Sequence, residues 1–435
     1  MERRSGRRGW TRGPAYLRAA AFVLVGSGCG QNPAVGPAPP DDVPVNAERH
    51  RDAPAVVLVS FDGFRHDYMD RFPAPNFRRV ADAGVRAESL IPVYPSKTFP
   101  NHYSIATGMY AETHRLVGNR FWDPDRGAYY DMGDRAAVED GTWYGGEPIW
   151  VTAETQGMVS ASYFFVGSEA DVGGVRPSYW YRYDGGVSYD TRVDQVLTWL
   201  SMPAETRPHM ITLYFSTVDS QGHRHGPDSP EVEAAVGQVD GALGRLLDGI
   251  ESLPAGNPVY VILVSDHGMM RQWPDSVDVL DLNRFPDLRY AELGPYGGLW
   301  VDGGDAARVA ALRDSLQAIW PRAEVYLRQD VPERFHYSAD PRIGDLVVVE
   351  PPGRSLVTPE RNPPSLGYNH GWDNQAPEMG GIFLAMGPGI GAGQRIASVE
   401  AVHVYPFMAH LLGLTPNPAA DGRLEVLLPV LQGGS

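Results

Sequence analysis

Three short apolar runs each lead to an aspartate, and one threonine and three histidines have the types and spacings to join those carboxylates in a pair of metal sites. The runs are Val56–Phe61 before Asp62, Ile211–Phe215 shortly before Asp219, and Val259–Val264 before Asp266. Continuous β-branched and aliphatic runs of this length read as strands buried on both faces, as in a parallel sheet covered by helices. Ligands of such sheets bind beyond the carboxyl ends of the strands. If the three strands are parallel neighbours, Asp62, Asp219 and Asp266 converge on one sheet edge, where three like charges repel unless cations sit between them. Asp219-Ser-Gln-Gly-His223 sets an imidazole four residues after a carboxylate, Asp266-His267 places two donors side by side, and His370 lies in a Gly-containing loop. Carboxylate and imidazole together suit zinc, and paired ions about 4 Å apart serve displacement at phosphorus. One aspartate at a strand end is ordinarily a loop or helix cap. Their joint occurrence at successive strand ends is what argues for metal.

Thr98 lies in Pro95-Ser96-Lys97-Thr98-Phe99-Pro100-Asn101-His102-Tyr103, at the start of a helical pattern. A Thr two residues before Pro has the features of an N-cap. The same place suits a nucleophile, because helix N–H groups and a nearby cation attract an anion and a metal can lower the hydroxyl pKa. The two readings are compatible.

The elements that must position these groups alternate helix and strand along most of the 435 residues, and 43% hydrophobic content is enough for a large core. We read one large α/β domain over 55–435 with a small cap. Residues 1–28 carry Arg3, Arg4, Arg7, Arg8, Arg12 and Arg18, then the apolar run Ala19–Val25 and small residues, the order of an export signal. Residues 29–54 include a Pro-rich, aperiodic tether that would hold the domain off a membrane surface. Cys29 is the only cysteine, so no internal disulfide forms. It follows Gly26-Ser27-Gly28 and resembles a bacterial lipoprotein processing site, although Gly26 stands where that motif prefers Leu. Lipidation at Cys29 and simple signal cleavage both stay open, and either predicts a periplasmic or cell-envelope protein. The formal charge is −16. So acidic a chain excludes nucleic-acid polymers as expected partners, because backbone binding needs a basic track. An anionic substrate must be small and held by a local positive centre.

Three groups of blocks together resemble the nucleotide pyrophosphatase/phosphodiesterase family of the alkaline phosphatase superfamily. The first runs from Val57 through Asp62-Gly63-Phe64-Arg65; the second comprises Thr98-Phe99-Pro100-Asn101-His102-Tyr103, Thr107-Gly108 and Val117-Gly118-Asn119; the third comprises Asp219 to Arg224, Ser265 to Met269 and His370 to Asn374. The resemblance runs from about residue 54 to the end and implies an alkaline-phosphatase-like α/β core, a mostly parallel sheet between helices. It implies two zinc ions, one held by Asp219, His223 and His370, the other by Asp62, Asp266, His267 and the Thr98 oxygen. Thr98 would attack in line to form a threonyl-phosphate ester that water hydrolyses, and Asn119 would donate to a non-bridging phosphate oxygen. Phe99 and Tyr183 would sandwich a nucleobase; as ordinary aromatics they would belong to the core or a loop, and Tyr179, Trp180 and Tyr181 crowd the same stretch. The segment 166–187 matches an insertion of the nucleotide-cleaving members. It departs from them at Phe165-Val166, where Trp-Pro is usual, and at Asp184, where Asn is common, which bears on base preference.

The expected activity is hydrolysis of nucleotide phosphodiester and pyrophosphate bonds to nucleoside 5′-monophosphates. Two zinc ions against three carboxylates leave a net positive charge that Thr98 cancels on ionising, a balance suited to a monoanionic diester. A sulfatase is disfavoured because the only cysteine lies in the leader, and a monoesterase because no additional cationic set accompanies Thr98. A choline-phosphate lipid diesterase with the same metal core is the alternative within enzymes, since Tyr and Trp near 179–183 could receive a cationic head group. A non-catalytic surface binding protein is the alternative from another class, opposed by retention of every ligand type with Thr98 and Asn119.

Overall fold

The apolar runs form the centre of an eight-stranded sheet. The computed structural model describes residues 43–254, 258–361 and 367–431; the expected export signal, Cys29 and the first part of the tether lie outside them. All described residues belong to one structural unit, 36–435. In chain order the sheet strands are β1 (Ala55–Phe61), β2 (Val85–Ala87), β3 (Ser160–Tyr163), β4 (Tyr179–Tyr181), β5 (Met210–Phe215), β6 (Val259–Val264), β7 (Phe383–Met386) and β8 (Gln394–Ile396). Across the sheet they run β8-β2-β7-β6-β1-β5-β3-β4. Only β7 is antiparallel to its neighbours. The central strand β1 pairs in parallel with β5, Val57 opposite Ile211, and with β6, Val57 opposite Val261. The expected parallel neighbours are therefore real neighbours.

Why these runs become central strands follows from the two-residue period of side-chain direction. Val57, Val59 and Phe61 point into one core with Ile211, Leu213, Val261 and Leu263, closed by Val232, Val236 and Leu243 of the helix Pro230–Glu251. Val56 and Leu58 point into the other, with Ile262, Val264 and the Tyr103 and Ile105 side chains of the helix Thr98–Thr107. Both faces are buried, so every position in β1 must be apolar or small.

Two features stand outside the central alternation of strand and helix, the stretch 166–187 and a second sheet. The first is loop on both sides of the edge strand β4. The larger addition is a four-stranded antiparallel sheet, ordered Leu288–Leu293, Tyr296–Val301, Leu346–Val349, Glu324–Leu327, with the helix Ala306–Ile319 on one face. Leu299, Leu312, Leu316, Trp320 and Leu346 give it a core of its own. Tyr296, Trp300 and Val347 from its other face join the core of the main domain.

Candidate active site

Asp62 is the first residue after β1, and its N–H donates to Phe215 O at 2.9 Å. Asp219 sits in the first turn of the helix Thr217–His225, directly beyond β5, and its N–H donates to Asp62 O at 3.0 Å. Asp266 lies two residues beyond β6, where Oδ1 accepts from Gly63 N–H at 3.1 Å. The three carboxylates meet because Gly63 lets the chain turn tightly: its φ is +69°, and a Cβ there would lie 2.8 Å from Asp219 Cα. His223 follows Asp219 by one helical turn, which brings Nε2 3.3 Å from Asp219 Oδ1. His370 leaves the short strand Gly367–Asn369, which pairs with Met270–Gln272 just downstream of His267. That ribbon stacks the His267 and His370 rings at 3.4 Å.

The fit to metal rests on which atoms lack partners. His223, His267 and His370 each set Nδ1 2.8 Å from a backbone carbonyl, of Tyr368, Gly268 and Ser96 respectively. With Nδ1–H so engaged, Nε2 keeps its lone pair for a ligand. Asp62 Oδ1, Asp219 Oδ1 and Asp266 Oδ2 are buried without a hydrogen bond. Donor atoms of Asp219, His223 and His370 lie within 4.8 Å of one another, the first expected set. His267 Nε2 is 3.0 Å from Asp266 Oδ2, 3.6 Å from Asp62 Oδ1 and 3.2 Å from Thr98 Oγ1, the second set. His102 also approaches Asp62 and Asp266. Its ring is spoken for, with Nδ1 2.9 Å from Thr98 O and Nε2 2.8 Å from Ser60 Oγ. His102 therefore ties the start of the Thr98 helix to the end of β1.

Electrostatics carry the same signature. Burial, then the Asp266 and Asp219 charges, push the Asp62 pKa well above the ordinary carboxyl value. Burial also acts on Asp266, but His267 and His102 beside it hold its pKa well below that value. Burial and the neighbouring His267 and Lys97 drive His370 well below the usual histidine value. For His223 burial acts downward, but the Asp219 carboxylate outweighs it and the net shift is upward. Carboxylates this close share protons until a cation relieves them.

Thr98 opens its helix as the first helical residue, not as the cap. Lys97 occupies the N-cap with extended dihedrals and no side-chain cap bond. The Thr98 hydroxyl is thereby free for His267 Nε2 at 3.2 Å. Asn119 Oδ1 accepts from Phe99 N–H at 2.9 Å, which ties it to the same helix terminus and leaves its NH2 group to donate elsewhere. Phe99 packs toward Tyr130 at 6.2 Å. Tyr183 is 41% exposed, lies edge-on to Phe164 and Tyr214, and sets its hydroxyl 3.4 Å from Ser216 Oγ. A cavity of about 790 Å³ is lined by Lys97, Asn119, Arg120, Gln272, Glu292 and Asn369 among others.

Three participants escaped sequence reasoning. Tyr214 donates to Asp62 Oδ2 at 2.5 Å; its place opposite Ser60 on the neighbouring strand was the available signal. His102, inside the Thr98 block, carries no mark that separates an orienting histidine from a ligand. Lys97 is buried and pairs with Glu292 Oε1 at 3.2 Å; no local pattern links two residues so far apart in the chain.

Residues 56–373 match the family model described as type I phosphodiesterase / nucleotide pyrophosphatase. Human ectonucleotide pyrophosphatase/phosphodiesterase family member 1 is 35% identical over 399 residues, which cover 87% of this chain and 42% of the human protein. The chain thus spans less than half the length of that relative. Murine ectonucleotide pyrophosphatase/phosphodiesterase 5 superposes with a TM-score of 0.80 at 29% identity, over 87% of this chain and all of that one. An inactive Thr→Ala variant of the murine protein in complex with AMP superposes at 0.78. The shared architecture is the alkaline-phosphatase-like α/β fold. Because the matched span runs unbroken from β1 past His370, it contains every strand end and loop that brings the donors together, and the chain belongs to the type I phosphodiesterase / nucleotide pyrophosphatase family.

Proposed function

We propose that this protein hydrolyses nucleotide phosphodiester and pyrophosphate bonds and releases nucleoside 5′-monophosphates. The observation that carries the reading is the position of Thr98 Oγ1, 3.2 Å from His267 Nε2 and uncommitted to capping, at an edge of orphaned carboxylate oxygens. Two zinc ions would be held by Asp219, His223 and His370 and by Asp62, Asp266, His267 and Thr98. When bound, they supply positive charge at the reacting phosphoryl group and lower the pKa of the Thr98 hydroxyl. Thr98 Oγ1 then forms a bond to phosphorus as the bond to the leaving oxygen breaks, and water later cleaves the threonyl-phosphate ester. The Asn119 NH2 group donates to a non-bridging oxygen. Phe99 and Tyr183 hold the base between their faces. The AMP complex of the murine relative, obtained with an inactive Thr→Ala variant, supports both the nucleotide and the threonine assignments. The human relative is named an ectonucleotide enzyme, which accords with export of this chain through its Arg-rich leader to the periplasm or cell envelope. Lipid labelling of the wild type against Cys29→Ala would tell an anchored form from a cleaved one.

The test joins metal analysis of the purified protein to turnover of a chromogenic nucleotide diester. About two zinc ions per chain and release of the 5′-monophosphate are expected. Thr98→Ala should abolish turnover and leave the fold and most of the metal in place, because Thr98 contributes one ligand atom and little core. Thr98→Ser should keep measurable activity. Near-wild-type rates in the alanine variant would remove Thr98 as the nucleophile. Faster cleavage of glycerophosphocholine than of a nucleotide diester would transfer the same chemistry to lipid head groups.

A further inference from the structure

The inserted four-stranded sheet carries an irregularity that points at the nucleophile. Its first two strands pair Tyr290 with Leu299 and then Leu293 with Gly297, so that two residues, Ala291 and Glu292, oppose one. Bulges of this kind redirect a side chain and are common beside active sites. Here the bulged residue is acidic. Glu292 Oε1 lies 3.2 Å from Lys97 Nζ, in the residue that precedes Thr98. Glu292 Oε2 accepts from Tyr296 Oη at 3.1 Å and, at 3.4 Å, from the N–H of Arg120, the residue after Asn119. Burial and the Glu292 charge hold the Tyr296 pKa well above the usual tyrosine value, so its hydroxyl stays a donor. The same hydroxyl abuts Gly118, where a Cβ would come within 2.6 Å. One carboxylate thus reaches both loops that present catalytic groups, and both Lys97 and Glu292 line the cavity beside Asn119.

We infer that Glu292 is a specificity-determining residue: it cancels the charge of Lys97 beside the nucleophile, so that the site favours a monoanionic phosphodiester over a dianionic phosphate monoester. This rests on the phosphodiesterase reading of the site. The physical argument is local. The Lys97 side chain is only 7% exposed and that of Glu292 19%, so water screens neither well. An ammonium group without its partner at this depth would attract a second phosphate charge strongly. A dianionic monoester is also the product, and a site that holds it weakly releases it. The bulge is the device by which a separate sheet delivers the balancing charge, and the bonds to Arg120 N–H and Tyr296 fix where it stands.

Three zinc-loaded variants at pH 8, where phosphate monoesters are dianions, decide the matter. Two readouts apply: the ratio of kcat/KM for p-nitrophenyl phosphate to that for bis(p-nitrophenyl) phosphate, and the equilibrium dissociation constant of AMP by calorimetry. Glu292→Gln keeps the shape and removes the charge, and should raise the ratio and tighten AMP by about tenfold each. Lys97→Met should move both the other way, and gives an independent answer if Glu292→Gln fails to fold. The double variant, neutral again, should return both close to the wild-type values. Unchanged ratio and AMP affinity in Glu292→Gln would overturn the inference, as would equal losses on both esters without recovery in the double variant. If the wild type cleaves neither ester, the phosphodiesterase reading fails, while the AMP dissociation constants still decide the role of Glu292.

Discussion

At His223, His267 and His370 a backbone carbonyl 2.8 Å from Nδ1 selects the ring nitrogen that faces the carboxylates. This fixes tautomer and ring orientation at once, so the donor set is organised by the main chain before any cation arrives. His102, a few ångströms away, has the opposite fate because Thr98 O and Ser60 Oγ take both nitrogens. Tyr183 stands apart from this network. Its ring is 41% exposed and held only edge-on by Phe164 and Tyr214, which leaves a face available for stacking. Tyr183→Ala should therefore weaken transition-state binding of nucleotide substrates by about 1–3 kcal/mol while a base-free diester is cleaved almost as before. Comparison of kcat/KM on the two substrate types checks this. Equal losses on both would make Tyr183 a support of the fold.

At the scale of elements, the site exists because β1, β5 and β6 end together and the turns that follow are tight. The turn after β1 is the tightest. Gly63 has φ of +69°, and the space its Cβ would fill is occupied by the Asp219 backbone. Gly63→Ala must either strain this conformation or push the Thr217–His225 helix outward, and such conformations cost about 1–3 kcal/mol each. Loss of thermal stability accompanied by loss of bound metal is the expected outcome. A variant with full metal content and unchanged melting would show that the helix tolerates the shift. The Thr98 helix follows the same logic in reverse: with Lys97 at the N-cap and no side-chain cap, its start is held by burial of Pro100 through Thr107. That arrangement leaves the Thr98 hydroxyl outside the capping of its own helix and 3.2 Å from His267 Nε2.

At the scale of the whole molecule, the inserted sheet and the main domain meet at a buried charge cluster. Glu350, just beyond the strand Leu346–Val349, faces Asp278 and Arg354, and Arg354 O accepts from Trp372 Nε1 at 2.7 Å near His370. Arg354 pairs with Asp278 at 3.1 Å, while both Glu350 oxygens lack a hydrogen bond. Burial, then the Asp278 charge, raises the Glu350 pKa to about 8 against Arg354. The folded protein thus binds this proton more tightly than the unfolded chain does. Its contribution to stability is fully present below the ordinary carboxyl value of 4.5, is lost as pH rises toward about 8, and changes no further above that. Glu350→Gln should remove this slope and make the variant more stable than wild type near pH 8, on the order of 1–3 kcal/mol, with little difference near pH 5. Thermal unfolding at the two pH values measures it. Parallel pH profiles for the two proteins would assign the slope to other groups.

The strand-end aspartates, the spacing of Asp219 and His223, and the block around Thr98 were legible in the chain itself. Continuous apolar runs can be satisfied only between two covered faces, parallel strands present their carboxyl ends together, and a four-residue spacing meets on a helix whatever surrounds it. These are local or nearest-neighbour rules, so residue types suffice. The packed molecule alone decided what depends on distant partners. Thr98 became the first helical residue instead of the cap because Lys97 takes the extended conformation at the helix start. His102 became an orienting group because Ser60, on the central strand, reaches its ring. The inserted sheet has a core of its own, and a bulge in it places Glu292 against Lys97. A hydrogen bond or ion pair between segments nearly two hundred residues apart leaves no periodic trace, because its energy depends on register and backbone path that neither segment encodes alone.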